Sequence, residues 1–349
     1  MIYLDYSATT KVDENVLNNF INNIDKNYSI ENLKEEIRRL LNTSKDVIYT
    51  SGSTEANNRI IKGIALKYLG KDSYHIITTT LEHSSIEEQM KYLEKNGFII
   101  DYVKLKDGVV DLNDLENKIT DKTILVSINA VNSEVGILQP IDEIGKLLKK
   151  HNILFHSDMT QAIGKVKVNL ENVDLVSFTA HKFYGLKGIG VILKRHDIDL
   201  IPLVYGEEYN TPLINSLKEA LELSLKDIDK NYEYVKKLNN TLKEELLKIP
   251  GISINSNKYS IPHILNISIK NYKPETFLHA LENYNIFIST KSACSTSNDY
   301  SKAVYSITGN MENAKTSLRI SISHKTKKEE IESLINAIKQ IINGDKYDK

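Results

Sequence analysis

An apolar run, Val176-Ser177-Phe178-Thr179-Ala180, ends in His181-Lys182 and passes into a glycine-rich turn, Tyr184-Gly185-Leu186-Lys187-Gly188-Ile189-Gly190. A lysine at the C-terminal end of a strand is partly desolvated, which favours the neutral amine and suits it to Schiff-base chemistry. A lysine taken at random is far more often a solvated strand end, so the reading depends on its company. Asp158 follows the short apolar run Leu154-Phe155-His156-Ser157 and precedes Met159-Thr160-Gln161. A carboxylate there can face the protonated ring nitrogen of a pyridine cofactor and make the ring an electron sink. Alone, it reads equally as a helix cap. Thr50-Ser51-Gly52-Ser53-Thr54-Glu55 joins a strand end to a helix start. Free amides and the helix dipole suit a phosphate there, although the local pattern favours an ordinary N-cap. His83, in Leu81-Glu82-His83-Ser84-Ser85, can stack on a ring and exchange protons near neutrality, or be structural.

Two further residues stand out later in the chain. Cys294 lies in Thr290-Lys291-Ser292-Ala293-Cys294-Ser295-Thr296-Ser297-Asn298-Asp299, whose small polar composition predicts an exposed loop and a reactive thiol as readily as an inert one. Arg319 interrupts the apolar run Ser317-Leu318-Arg319-Ile320-Ser321 and can clamp a carboxylate with its planar fork, or snorkel to the surface.

These positions depend on elements that the hydrophobic pattern predicts. Short strand-like runs recur at 47–50, 75–79, 99–105, 123–129, 154–157, 175–179 and 190–194, with helical spacing at 55–69 and 141–150 between them. Strands alternating with helices imply an α/β protein with a mainly parallel, seven-stranded sheet and helices on both faces. Ligands bind such sheets beyond the C-terminal strand ends, where Lys182, Asp158, Ser53 and His83 all fall. After Pro212 one long helical pattern runs to about Lys248, ahead of Pro250-Gly251. Strands at 263–269, 286–289 and 317–322 follow, with helices at 275–283 and 327–342, a smaller α+β domain. The expected division is 13–207 for the large domain, with 1–12 and 208–349 forming the small one.

Composition narrows the function classes. Lys+Arg 45 against Asp+Glu 46 gives a net charge of -1, which disfavours general nucleic-acid or membrane-surface binding. No run approaches the roughly 20 apolar residues of a membrane span, and Met1 to Asp5 does not read as a secretory leader. One cysteine in 349 residues allows no internal disulfide and suits a reducing cytoplasm. No metal site is expected.

Taken in chain order, these signals resemble the cysteine desulfurases, the class V branch of the fold-type-I enzymes that use pyridoxal 5'-phosphate (PLP). The likeness runs from Tyr3-Leu4-Asp5-Tyr6-Ser7-Ala8-Thr9-Thr10 to Arg319 and includes Thr179-Ala180-His181-Lys182, Tyr184-Gly185, Gly188-Ile189-Gly190 and Ser292-Ala293-Cys294. The resemblance implies conversion of L-cysteine to L-alanine, with sulfur held on Cys294 as a persulfide for iron–sulfur or other delivery to an acceptor protein. It implies that Lys182 carries PLP and moves the Cα proton, His83 stacks on the ring, Asp158 pairs with the ring nitrogen and Gln161 bonds the phenolic oxygen. Ser53, Thr54, Thr179 and His181 would hold the phosphate, with Thr211 supplied by the partner subunit of a homodimer. Arg319 and Asn132 would bind substrate, and Lys291 could favour the thiolate.

The chain departs from the family pattern in four places. Ser133, in Asn132-Ser133-Glu134-Val135-Gly136, replaces an asparagine that contacts the cofactor. The glycine-rich segment ending R-x-G-T is shortened to 205–211, without its arginine. Lys291 stands where glycine usually precedes Ser-Ala-Cys. The extension that helps dock an iron–sulfur scaffold is not expected after Asn343. Weaker PLP retention is the expected consequence. A PLP lyase or transferase for another amino acid, selenocysteine included, and a degenerate homologue with a binding role are the alternatives.

Overall fold

A computed structural model describes residues 1–71, 74–206, 208–290 and 299–344. By contacts the chain forms two compact units: residues 10–131 with 139–228, and residues 1–9 with 132–138 and 229–349.

The larger unit holds a seven-stranded sheet. Its spatial order is Asp46–Thr50, Gly190–Lys194, Leu175–Thr179, Leu154–Asp158, Thr123–Ser127, His75–Thr78 and Ile99–Tyr102. Neighbours pair in parallel except around Gly190–Lys194, which runs antiparallel to both of its partners. That exception follows from connectivity: the chain returns from Thr179 through a short glycine turn, too short for the crossover that a parallel return needs. Leu175–Thr179 is buried at every position, as expected of a strand covered on both faces. Helix Ser53–Ala65 supplies much of that cover. Its Ile60 and Ile64 pack with Leu175 and Ile192, and its Ile61 packs with Ile76 and Leu125.

The smaller unit is built on an antiparallel sheet of Ile252–Ile254, Ile264–Ile269 and Ser317–Ser321. Leu238, Leu242, Leu334 and Ile338, from helices Ile228–Leu247 and Lys328–Gly344, pack against Ile267 and Ile320 of that sheet. The single helical pattern expected from Pro212 to Lys248 is interrupted at Asp227, giving Thr211–Lys226 and Ile228–Leu247. The first of these packs on helices Glu14–Asn22 and Ile30–Leu40, in the larger unit. The division by contacts therefore falls at 228/229, past this helix, and residues 132–138 go with the smaller unit. Among the described residues, no helix is long and apolar enough to cross a membrane.

Candidate functional site

In the larger unit, Lys182 closes a single 3-10 turn, Ala180–Lys182, directly after the strand Leu175–Thr179. The turn is tied down from several directions. Phe183 and Gly185 both donate their amides to the Ala180 carbonyl at 3.0 Å. The Thr10 amide and hydroxyl both donate to the His181 carbonyl at 2.9 Å, and the Tyr184 amide donates to the Thr10 hydroxyl at 2.7 Å. Gly185 cannot carry a side chain here, since a Cβ would lie 2.7 Å from Ala180 Cβ. The glycine turn that marks the sequence is thus the device that holds Lys182 at the strand end.

The loop 51–54 meets that turn backbone to backbone. A Cβ on Gly190 would sit 2.7 Å from Gly52 Cα, so only glycine allows the approach. Helix Ser53–Ala65 begins at Gly52 with no side-chain hydrogen bond to its first turn, so the ordinary cap favoured by the local sequence is not formed. Glu55 instead accepts from the Ser51 amide at 2.7 Å and hydroxyl at 2.6 Å. The amide end of the helix, with Ser53 and Thr54, remains available to an anion. Thr179 is within reach, as a Cβ on Gly52 would lie 3.8 Å from its hydroxyl. That hydroxyl donates to the Ile189 carbonyl at 2.8 Å, so at its 3.1 Å contact it accepts from His181 Nδ1. Burial, with Lys182, Lys187 and Lys165 adding to it, pushes the His181 imidazole down to about 4, so it is neutral at physiological pH.

Asp158 ends the strand next to the Lys182 strand, paired in register with Ser177. Its carboxylate, 6% exposed, accepts from Asn57 Nδ2 and from the Thr160 amide, each at 2.9 Å. Both donors are neutral. A buried carboxylate held, among the described residues, by neutral donors is suited to a cationic partner such as a protonated pyridine nitrogen. Sequence reasoning missed Asn57, which is 0% exposed and joins three parts of the site. Its Nδ2 also donates to Ser85 Oγ at 2.9 Å, and its Oδ1 accepts from Ser177 Oγ at 2.5 Å. Ser85 Oγ lies 2.9 Å from His83 Nδ1, and the Ser85 amide donates to the same nitrogen at 3.2 Å. His83 is therefore both the cap of helix Ser84–Lys95 and a member of the Asp158 network.

Other partners escaped the sequence reading. Glu82 accepts from the Asn129 amide at 3.1 and 3.0 Å and from the Thr79 hydroxyl at 2.6 Å, tying the His83 loop to the end of Thr123–Ser127. Burial pushes the Glu82 carboxyl up to about 8. Gln161 accepts from Lys165 Nζ at 2.5 Å. Thr211 begins helix Thr211–Lys226, where its hydroxyl accepts from the Tyr28 amide at 3.1 Å and donates to the Lys26 carbonyl at 3.4 Å.

The smaller unit carries a second centre. Arg319 is 2% exposed rather than snorkelling, and its fork donates to Asp5 Oδ1 at 2.8 Å and to the Ser133 carbonyl at 3.0 Å. Asp5 also accepts from Ser289 Oγ at 2.8 Å. Ser133 enters this cluster through its backbone, which the Ser7 hydroxyl also engages at 2.8 Å. Asn132 Oδ1 accepts the Glu134 and Val135 amides at 2.9 Å and so shapes the turn. Among the described residues the Arg319 Nε has no acceptor, leaving donor capacity for a carboxylate. Cys294 and Lys291 lie outside the described residues.

The comparisons with known proteins agree with one another. The class-V aminotransferase family model matches residues 2–334. The chain is 37% identical to the cysteine desulfurase IscS of Buchnera aphidicola, over 98% of this chain and 93% of that one. It is 36% identical to IscS of Rickettsia typhi, over 97% and 90%. Among solved structures, a NifS-like protein aligns with a TM-score of 0.91 at 30% identity, covering 98% of this chain and 99% of that chain.

Proposed function

The chain belongs to the class-V aminotransferase family and, within it, to the cysteine desulfurases, and from that membership we propose how its residues divide the work. The enzyme uses PLP and takes sulfur from L-cysteine, leaving L-alanine. When bound, PLP supplies an electron sink for negative charge at the substrate Cα. The residues of the larger unit fit such a group: Lys182 to carry it, Asp158 for its ring nitrogen, His83 for its ring face and Gln161 for its phenolic oxygen. The uncapped start of Ser53–Ala65, with Ser53, Thr54, Thr179 and His181, suits its phosphate.

Lys182 Nζ would be the base that removes the substrate Cα proton and later returns it. Arg319 holds the substrate carboxylate, with Asn132 and Ser133 shaping the turn beside it. The Cys294 sulfur attacks the substrate Sγ; the Cβ–Sγ bond breaks, a sulfur–sulfur bond forms and Cβ takes a proton. The persulfide then passes to an acceptor protein, as in iron–sulfur assembly. A cytoplasmic homodimer, with Thr211 approaching the partner's phosphate site, belongs to the same reading. PLP retention is weaker than in relatives that carry both the asparagine and the arginine missing here.

The buried Asp158 carboxylate, held by neutral donors one strand from Lys182, is the observation that carries this assignment. Its test is a spectrum of the purified protein before and after L-cysteine, with alanine assay and peptide mass spectrometry. A yellow cofactor band, alanine, and one extra sulfur on the Cys294 peptide are expected. Cys294→Ser is expected to keep the spectral response to cysteine and make neither alanine nor persulfide. Undiminished alanine from Cys294→Ser overturns the role given to that thiol.

A further inference from the structure

The segment after Asp158 is a tight turn rather than a loose connection. The Met159 amide donates to the Ser177 carbonyl, the Ala162 and Ile163 amides to the Met159 carbonyl, and the Lys165 amide to the Ala162 carbonyl. Gly164, at φ 75°, packs so closely that a Cβ would lie 2.7 Å from Phe183 Cβ. Within this turn Lys165 is 5% exposed and Gln161 is 4% exposed, and the lysine Nζ donates to Gln161 Oε1 at 2.5 Å. A buried lysine is uncommon and calls for a reason.

The chemistry of the pair supplies one. A carboxamide is nearly symmetric in shape but not in function: one end accepts and the other donates. An ammonium has three donors and no acceptor, so it tolerates only the oxygen end of Gln161. The amide nitrogen is thereby turned to the opposite side. We propose that Lys165 is a positioning residue, holding the Gln161 carbonyl so that the amide nitrogen is presented, in one orientation only, as a donor to the phenolic oxygen of the bound cofactor. This rests on the reading of Gln161 as the residue facing that oxygen. Without the ammonium the amide can turn over and set its own oxygen against the phenolate, which repels it. Lys165 also lies close enough to His181 for its charge to act on that imidazole. Two routes of influence are thereby open, one through Gln161 and one through charge alone.

An absorbance pH titration of the PLP-loaded protein separates them, because the visible band reports how tightly the cofactor holds its proton. A donor on the phenolic oxygen withdraws electron density and makes the chromophore less basic. Losing that donor raises the midpoint, by about one pH unit for a hydrogen bond of this kind. Gln161→Leu and Lys165→Met are each expected to raise the midpoint, and the double variant to shift it no further than Gln161→Leu alone. Shifts that add in full overturn the proposal and leave Lys165 acting by charge. No shift in Gln161→Leu shows instead that Gln161 does not face the phenolic oxygen, which removes the underlying reading. Should Lys165→Met fail to fold or to hold PLP, Lys165→Gln replaces it, since a second amide can meet Gln161 at either end. Its midpoint is expected to rise, with no further rise when it is combined with Gln161→Leu; a wild-type midpoint, or shifts that add in full, overturns the proposal.

Discussion

Replacing Asn57 with alanine tests whether the site is one network or several. The wild-type side chain makes three hydrogen bonds: to Asp158 Oδ2 at 2.9 Å, to Ser85 Oγ at 2.9 Å and from Ser177 Oγ at 2.5 Å. The serines have alternatives, because Ser177 Oγ lies 3.1 Å from His156 Nε2 and Ser85 Oγ lies 2.9 Å from His83 Nδ1. Among the described residues, Asp158 keeps only the Thr160 amide. The cost therefore falls on a buried carboxylate that loses a donor, where about 1.5–3 kcal/mol is typical, with up to about 1 kcal/mol more from the serines. A loss of about 2–4 kcal/mol is expected, roughly 30- to 900-fold in the folding equilibrium, measured by urea titration of cofactor-free protein at pH 7. Asn57→Asp should cost more at pH 7, because it sets a second carboxylate against Asp158, and its penalty should shrink on acidification as the pair shares a proton. An Asn57→Ala protein within about 0.5 kcal/mol of wild type would refute the claim that Asn57 organises the centre.

Lys182→Ala is expected to abolish the borohydride-reducible adduct while leaving some PLP held through its phosphate; an adduct mapping to another lysine reassigns the site. Gly190→Ala should weaken PLP binding at least about tenfold with a smaller loss of stability, since the added Cβ strikes the Gly52 backbone 2.7 Å away; unchanged equilibrium dialysis would show that the loop gives way. His181, held at about 4 against an ordinary 6.5, is neutral in the folded chain. Between those values the unfolded chain takes up a proton that the folded one does not, so cofactor-free protein loses stability as pH falls from 6.5 towards 4. His181→Gln should flatten that part of the urea-midpoint profile, and an equally steep profile rejects the assignment. Glu82, raised to about 8, has the opposite sign: its contribution is full below its ordinary 4.5 and is lost as pH rises through 8. Glu82→Gln should therefore lose less stability between pH 5 and 9 than wild type does.

The seven strands of the large sheet are legible because each is a short apolar, β-rich run closed by a turn, the edge strand Ile99–Tyr102 included although none of its residues is buried, and their observed bounds fall within a few residues of the pattern. The break at Asp227 is not legible, since Leu225 and Ile228 keep apolar spacing across it while the chain changes unit. Lys182, Asp158 and His83 announce themselves by standing at strand ends, where the fold class already directs attention. Asn57 does not, because its partner Asp158 is 101 residues away, and an asparagine in a helix ordinarily reads as solvated. One signal was nonetheless available: Asn57, Ile60, Ile61 and Ile64 form a single helical stripe, so the amide occupies a core position. Thr10, Glu82 and Lys165 carry no such mark, as each is an ordinary residue made specific only by what folding brings beside it.

That contrast bears on how the site can diverge. Residues proposed to touch the cofactor are read from local pattern, and departures from the expected family pattern such as Ser133 and the shortened segment before Thr211 are visible at once. Residues that hold those residues in place are constrained by geometry instead: Gly190 by Gly52, Thr10 by the His181 carbonyl, Asn57 by Asp158, Asp5 by Arg319. Removing a contact residue weakens one interaction with PLP or substrate. Removing a holding residue leaves a buried partner unsatisfied, so its effect appears in the stability of the cofactor-free protein as well as in binding. Thr10, Asn57, Asp5 and Gly190 belong to the second class, each fixed by a defined partner. A buried carboxylate met by neutral donors, as Asp158 is among the described residues, is costly to hold without a cationic ligand to face it, and that cost favours a working catalytic centre over a degenerate binding protein.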